Sequence, residues 1–197
     1  MRPILRLAAF ALALSTPLAP VAAEPWTIDR DHAYVSFRAS HLGFSDVLGL
    51  FREFEADIDF DPEAVEATSV AFRIAADSVE TFHDRRDDHL RSEDFLDAAN
   101  HPEIVFVSRE VRLTSADTAE VVGDLTIRGV THEETFAVTL NRIGPSPFDR
   151  ELTIAGFRIE GEIDRRRYGS TFGAPAIGAL VPIVMEFEAS PARGGDG

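Results

Sequence analysis

The 197-residue sequence contains no cysteine and no lysine: all 19 basic residues are arginine, against 34 acidic residues, for a formal charge of 19 − 34 = −15. Without cysteine the chain has no disulfide framework, no thiolate nucleophile and no zinc–thiolate site. Because an acidic chain without a basic tail binds nucleic acid and anionic membrane surfaces poorly, we expect neither as a partner. Hydrophobic residues make up 45% and charged residues 27%, a composition typical of one globular domain.

Residues 1–23 have the pattern of a secretory signal peptide. Arg2 and Arg6 form a short positive region, residues 7–14 (LAAFALAL) are apolar, and the segment ends with small residues at Val21 and Ala23. The apolar run is shorter than the roughly 18 residues that a membrane-spanning helix needs. We therefore expect cleavage near residue 23, an exported periplasmic product and no transmembrane anchor in it.

The rest of the chain alternates between apolar and polar residues with a period of two. In residues 53–60 (EFEADIDF) every odd position is acidic and every even position is apolar, which predicts a strand with one buried face. Similar runs, separated by short turn sequences, recur at 33–37, 70–74, 104–106, 121–127, 136–140, 157–163 and 181–187. About eight strands in series with short connections predict an all-β fold, an antiparallel meander that closes as a barrel or packs as a sandwich.

The alternation stops between residues 77 and 101. Asp84 can cap a short turn of helix that runs to Leu90, Ser92 can be the N-cap of a second start, and Pro102 ends the segment. We expect this short helical segment to cover one side or one mouth of the barrel. The predicted domain spans residues 24–190, and residues 191–197 are predicted to form a flexible tail.

Fourteen of the 15 phenylalanines follow the predicted signal peptide. They can pack a solid core, which is the more common arrangement, or they can line a cavity, since a barrel of about eight strands is just wide enough to hold one small ligand. A cavity lined by Phe, Val and Leu would accept an aliphatic or polyene chain. Composition alone does not decide between a filled and a hollow barrel.

Several motifs, in one order along residues 26–188, resemble the YceI-like family. They are W-x-I-D-x-x-H at 26–32, V-x-F at 35–37, H-x-G-F-S at 41–45, G-x-F-x-x-F at 49–54, S-V-x-T at 78–81, R-D-x-H-L-x-S-x-D-F-L-D at 86–97, P-x-I-x-F-x-S at 102–108, G-x-L-T-I-R-G-V-T at 123–131 and R-x-x-Y-G at 165–169. The segment from Arg86 to Asp97 is the most specific part. Arg167 departs from the family pattern, because it stands where an acidic residue is usual.

This resemblance implies an eight-stranded antiparallel lipocalin-like barrel with a short helix. It also implies an exported, commonly dimeric protein that is not catalytic, needs no cofactor and holds a polyisoprenoid or similar long-chain amphiphile, such as an isoprenoid quinone or polyprenyl phosphate, in a hydrophobic cavity. On this interpretation the predicted ligand-binding residues are Val35, Phe37, His41, Phe44, Phe51, Phe54, Phe72, Arg86, His89, Phe106, Phe136, Phe157, Arg167 and Phe172.

The polar clusters leave alternatives open. Residues 84–94 (DRRDDHLRSED) can form an ion-paired solvated helix or a rim that orients a head group, and the i, i+4 spacing of His83 and Asp87 would suit a metal, although we expect none. The run Arg165–Arg167 can hold an anionic head group such as a diphosphate, or it can pair with acidic strand faces such as those of Glu53, Glu55 and Asp57.

The sequence contains no G-x-S-x-G, phosphate-loop or H-E-x-x-H motif, so we expect no catalytic residues. Two other functions remain open. One is a filled barrel whose acidic surface recruits a protein partner, for example in a stress response. The other is a hydrolase or isomerase that acts on a bound lipid through His89 and Asp87.

Overall fold

The computed structural model describes residues 23–192 and places ten strands and one α-helix in them. The strands are β1 Glu24–His41, β2 Ser45–Phe51, β3 Phe54–Phe60, β4 Ser69–Ala75, β5 Val79–Glu80, β6 Glu103–Leu113, β7 Thr118–Ile127, β8 Val130–Pro145, β9 Thr153–Asp164 and β10 Leu180–Pro191, and the helix is α1 Asp84–Arg91. The predicted signal peptide lies outside the described residues except for its last residue. Of the predicted tail, Pro191 belongs to β10, the Ala192 amide donates to the Pro25 carbonyl at 2.8 Å, and residues 193–197 are outside the described part.

Eight of the strands close into an antiparallel barrel in the order β10-β9-β8-β7-β6-β4-β3-β1, with β1 pairing back onto β10. These are the eight strands that the period-two pattern predicts, so the predicted barrel is confirmed. The pattern missed β2, which pairs with the second half of β1, and β5, which pairs with β2. In β2 the outward positions Leu48 and Leu50 are also apolar and hide the alternation, and β5 has only two residues.

Strands β1 and β2 are joined by the tight turn Leu42–Gly43. The amide of Phe44 donates to the His41 carbonyl at 3.1 Å, and both central residues have positive φ, 57° at Leu42 and 74° at Gly43. Positive φ at both central residues is a feature of type I′ turns, whose first central position Asn, Asp or Gly normally occupies, although the connection here has three residues because His41 pairs with Ser45. A leucine in the left-handed region costs about 1–2 kcal/mol.

The helix α1 lies where the sequence predicts it, but its ends differ from the prediction. His83 is the N-cap, and its Nδ1 accepts a hydrogen bond from the Arg86 amide at 3.4 Å. Ser92 ends α1 instead of starting a second helix, because its amide and its hydroxyl both donate to the His89 carbonyl. The expectations of Asp84 and Ser92 as N-caps are therefore wrong, and Ser92 is the C-cap of α1.

Aromatic side chains close one end of the barrel. Phe157 packs edge-on against Phe60, with ring centroids 5.3 Å apart, and lies 5.2 Å from Phe187, while Trp26 packs edge-on against Phe60 at 5.2 Å. These four residues lie at the start of β1 and β9 and at the end of β3 and β10, which the strand pairings bring to the same end. We call this cluster the aromatic plug.

Candidate functional site

The barrel is hollow beyond the aromatic plug and encloses a cavity of about 400 Å³. Its wall is almost entirely apolar and is formed by side chains from the strands, from α1 and from the segment that follows β9. This volume falls within the usual range for small-molecule sites, about 300–1,000 Å³. The structure therefore favours the hollow barrel over the filled one.

Three phenylalanines that line the cavity lie over glycines of a neighbouring strand. Phe37 in β1 faces Gly49 in β2, where an added Cβ would overlap the ring. An added Cβ would come within 2.6 Å of Phe106 Cζ at Gly123 and within 2.5 Å of Phe136 Cδ1 at Gly161. Because these rings rest against the bare backbone, they cover the wall without filling the lumen.

The polar lining residues gather at the end opposite the plug. They are Ser40, His41, Arg86, His89, Arg165, Tyr168 and Ser170. They come from the end of β1, from α1 and from residues 165–178, which meet there. The Leu42 amide donates a hydrogen bond to the Ala176 carbonyl, and His41 forms an isolated antiparallel β-bridge with Ile177. We call this end the mouth, because the cavity is only partly enclosed and its exposed lining residues, such as His41 and His89, lie here.

Arg86 is held at the mouth by uncharged oxygens. Its Nε donates to Thr81 Oγ1 and its Nη2 to the Thr81 carbonyl, both at 2.6 Å, while the Thr81 amide and hydroxyl donate to the buried carboxylate of Asp87 at 2.8 and 2.5 Å. Among residues 23–192 no carboxylate lies within 4 Å of the Arg86 guanidinium, and its Nη1 has no protein partner. Arg86 therefore brings free donors to the cavity, and its charge is balanced in part by Asp87, which the Thr81 hydroxyl links to the guanidinium.

Arg165 is the second cavity-lining arginine, and it acts differently. Its guanidinium donates to the carbonyls of Gly178, Ser170, Phe172 and Ile177 at 2.7–2.9 Å, and it lies 5.4 Å from the centre of the Phe95 ring. Burial lowers the pKa of Arg165 below its ordinary value. Its donors are used within the protein, so Arg165 fixes the segment 165–178 and contributes positive charge rather than hydrogen bonds to a ligand.

The sequence matches the YceI-like domain family over residues 26–189, most of the part that forms the barrel. The chain belongs to the YceI-like family. A UPF0312 protein of Pseudomonas putida is 37% identical over 164 residues, which cover 81% of this chain and 84% of that protein.

Solved structures agree with this YceI-like fold. The Campylobacter jejuni YCEI protein superposes with a TM-score of 0.71 at 26% identity, covering 78% of this chain and 90% of that one. A domain from Saccharophagus degradans described as polyisoprenoid-binding superposes with a TM-score of 0.66 at 13% identity, covering 85% of this chain and 99% of that one.

The cavity of this YceI-like protein contains many of the residues that the sequence analysis selected. The predicted residues that line it are Val35, Phe37, His41, Phe51, Phe72, Arg86, His89, Phe106 and Phe136. Contact of these residues with a ligand stays a prediction.

Four of the predicted phenylalanines, Phe172 among them, lie outside the cavity wall. Phe157 faces inward but belongs to the aromatic plug, and Phe54 is buried beneath the guanidinium of Arg30, 4.5 Å from its ring centre. Phe44 follows the turn between β1 and β2 and is exposed. The alternation predicts which face a residue occupies but not its height along the barrel.

Phe172 also lies outside the wall, since it covers the rim. Its ring packs edge-on against the rings of His89 and Phe95, at 5.0 and 5.5 Å, and remains partly exposed.

The three arginines at positions 165–167 each have different partners. Arg167 does not line the cavity, because it is paired with Glu134 at 2.6 Å, and Arg166 is paired with Asp164 at 2.7 Å. The hydrogen bond from Arg166 lowers the pKa of Asp164 to about 2. Both partners are strand acids, as one alternative supposed, but they lie in β8 and β9 and are not the Glu53, Glu55 and Asp57 given as examples; Asp57 pairs with Arg73 at 2.8 Å. Arg165 is thus the member of the run that reaches the cavity.

Most of the aliphatic wall was not predicted, because phenylalanine was taken as the marker of the cavity. The missed residues are Ala39, Ser40, Val47, Val70, Ile74, Val79, Leu90, Phe95, Leu96, Ile104, Val121, Leu125, Ile127, Val138, Ile159, Ile163, Arg165, Tyr168, Ser170, Ile177, Val181, Ile183 and Met185. Many of them occupy the inward positions of the alternating runs, so the pattern itself contained the signal.

The polar side chains proposed for catalysis or metal binding have separate partners. His89 Nε2 lies 2.9 Å from Asp94 Oδ2, whereas Asp87 accepts from Thr81, and His83 caps α1. In the part of the chain that the structure describes, no helix has both the length and the apolar character needed to cross a bilayer.

Proposed function

We propose that this protein binds a polyisoprenoid or similar long-chain amphiphile, with its tail inside the barrel and its head group at the mouth. The observation that carries the proposal is the apolar cavity of about 400 Å³, closed at one end by aromatic rings and polar only at the other. The structural likeness to a domain described as polyisoprenoid-binding agrees with it, although at 13% identity that likeness extends to the fold alone.

The free energies of tail burial and of head-group hydrogen bonding indicate that the tail provides most of the affinity. At about 0.8 kcal/mol for each buried CH₂, a five-carbon unit contributes roughly 3–4 kcal/mol before costs. Several units would exceed the limit of about 18–21 kcal/mol for noncovalent binding, so ordering of the lipid must offset much of this gain. A hydrogen bond to a charged side chain contributes only about 1.5–3 kcal/mol. The tail therefore sets affinity, and the mouth sets orientation and selectivity.

The head group has a defined place in this proposal. Arg86 offers free donors and is not directly ion-paired, and His89 lines the same end of the cavity. A diphosphate, a phosphate or a quinone carbonyl would accept hydrogen bonds from these groups. A guanidinium suits oxyanions best, so we expect the anionic forms to gain more from this mouth than a quinone does.

We further infer that the protein is exported and acts by binding rather than by catalysis. Export is supported by the signal-like pattern of residues 1–23, and binding is supported by the separate partners of His89 and Asp87, the two residues that the catalytic alternative would use together. Cell fractionation with an antibody tests the first inference: the periplasmic fraction should contain the protein, and recovery only from the cytoplasm would contradict it.

A series of isoprenoid alcohols and their diphosphates of increasing length tests the lipid proposal. We expect affinity to rise with each added unit until the cavity is filled, and we expect the alcohol to bind within about one to two orders of magnitude of the diphosphate of the same length. Isothermal titration calorimetry measures both comparisons. If chain length had no effect while removal of the head group abolished binding, the proposal would be wrong.

A further inference from the structure

We propose that the mouth docks on the surface of a phospholipid bilayer through three exposed apolar side chains, Leu42, Phe44 and Phe172, which we call the apolar rim. Docking would let a lipid pass between the membrane and the cavity without crossing water. This inference rests on the lipid-binding function proposed above and adds the surface from which the lipid is taken.

The apolar rim is continuous with the cavity wall. Phe172 packs on His89 and Phe95, both of which line the cavity, and the Leu42 amide is hydrogen-bonded to the Ala176 carbonyl in the segment that Arg165 holds. Phe44 is 90% exposed, Leu42 is 53% exposed and Phe172 is 44% exposed. The tail of a lipid that leaves a bilayer in contact with this rim would find apolar surface beside the polar side chains of the mouth.

The turn between β1 and β2 presents these side chains at the expense of its own stability. Leu42 occupies a left-handed position, with φ at 57°, where Asn, Asp or Gly would be more stable. Phe44 is almost fully exposed and Leu42 is about half exposed, so Phe44 contributes almost no burial to the fold and Leu42 contributes only part of its side chain. An apolar tip kept in an unfavourable conformation indicates a use outside folding.

Charge identifies the kind of bilayer. The formal charge of −15 opposes attachment to an anionic surface, so the contact must be apolar. At the mouth, however, Arg86 and Arg165 have no carboxylate within 4 Å among the described residues, and they would face lipid phosphates. These charges fit a zwitterionic surface, whose phosphates are accessible without a large negative potential.

Phosphatidylcholine vesicles and single tryptophan substitutions test the contact directly. We expect the emission of F44W to shift to shorter wavelength on adding vesicles and to be quenched by brominated lipid. The matched control is F148W, since Phe148 is 98% exposed in the connection from β8 to β9, at the end with the aromatic plug. Its emission should not change, and Trp26, which is buried, supplies a constant background.

A second set of variants measures the strength of docking. L42N places a favoured residue in the turn, so it should fold at least as stably as the wild type. We expect L42N/F44D to partition about tenfold or more weakly onto phosphatidylcholine vesicles, because two apolar side chains no longer insert, while F148D partitions as the wild type does. Adding phosphatidylglycerol to the vesicles should weaken binding of the wild type.

Farnesol, supplied in solution without vesicles, separates this proposal from the proposed function. L42N/F44D should bind farnesol as the wild type does, because the cavity is unchanged. If the wild type bound farnesol but the vesicle experiments showed no contact with the bilayer, only the docking surface would be contradicted, whereas absence of farnesol binding would contradict the lipid-binding function. Equal spectral shifts at positions 44 and 148 would overturn the proposal. So would a wild-type dimer, seen by light scattering, that L42N/F44D turns into a monomer with unchanged vesicle partitioning.

Discussion

The ring of Phe136 in β8 lies over Gly161 in β9, so close that a Cβ at residue 161 would be 2.5 Å from Phe136 Cδ1. The same relationship holds between Phe106 and Gly123, and between Phe37 and its cross-strand partner Gly49. A barrel of this size has just enough room for its own side chains. Large rings that rest on glycines leave part of that room to a ligand.

Substitution of Gly161 tests whether these glycines keep the lumen open. In G161A the new methyl group must push the Phe136 ring toward the cavity, and we expect a loss of about 1–3 kcal/mol in the free energy of unfolding together with reduced isoprenoid uptake. The control is G156A in the same strand, whose Cβ would lie 3.8 Å from Asn141 Cβ. Urea denaturation and lipid titration measure the two effects. Unchanged uptake in G161A at reduced stability would show that the ring moves elsewhere.

The aromatic plug should contribute to stability rather than to selectivity. F157A removes a ring that packs on Phe60 and Phe187, and we expect it to lower the free energy of unfolding by about 3–5 kcal/mol. F148A, at an exposed position near the same end of the barrel, should have almost no effect. Chemical denaturation compares them. A loss below 1 kcal/mol in F157A, by the same scale, would contradict the packing described here.

Arg86 should discriminate between head groups. R86M removes the free donors at the mouth, so we expect a fall of about tenfold or more in affinity for an isoprenoid diphosphate, with little change for the alcohol of equal length. Unchanged binding of the alcohol would also show that the protein folds without the hydrogen bonds between Arg86 and Thr81. R85M, on the exposed side of α1, is the matched control. Equal losses for both ligands in R86M would indicate damage to the cavity instead.

The pair of Asp29 and His32 should make a small contribution to stability that depends on pH. His32 Nδ1 lies 2.8 Å from Asp29 Oδ2, and this hydrogen bond raises the pKa of His32 above 6.5 and lowers the pKa of Asp29 below 3.8. A raised histidine pKa stabilises the fold below pH 6.5 and loses effect as the pH rises through the folded value. The lowered aspartate pKa contributes above pH 3.8 and is lost in acid.

Thermal denaturation of H32Q therefore has an expected sign. The wild type should melt above H32Q at about pH 5.5, and the difference should disappear at about pH 8.5. E188Q should reduce the difference in part, because the charge of Glu188 also raises the pKa of His32. A difference that grows toward alkaline pH would refute this assignment.

The barrel was predictable because most of its strands have one wet and one dry face. Residues 53–60 show this in its purest form, with acids outside and apolar residues inside. Strand β2 escaped prediction because Leu48 and Leu50 make its outer face apolar as well. Its position beside β1 follows from a turn in which Leu42 takes a conformation that its residue type disfavours, so turn chemistry gave no signal either.

The cavity was harder to predict because hollowness depends on pairs of residues in different strands. The sequence pattern alone assigns Phe136 to a packed core. That its ring lies over Gly161 follows only from the pairing register of β8 with β9. The same limit explains why Arg167 was predicted to contact the ligand, whereas Arg165 is the residue that lines the cavity. Both lie in one short 3-10 helix, and their tertiary partners decide which one faces the lumen. Phe157 likewise faces inward, but its height along the barrel follows from the pairing of β9 with β10.

Native mass spectrometry of protein purified without detergent tests the central claim, that the hollow interior holds a long-chain lipid, most directly. V121W should fill the lumen, whereas V107W places the same ring on the exposed outer face of the neighbouring strand β6. We expect the wild type and V107W to carry one lipid molecule per barrel and V121W to carry none while remaining folded. Lipid-free wild-type protein that also fails to take up added polyisoprenoid, or equal lipid content in V121W and V107W, would contradict the account.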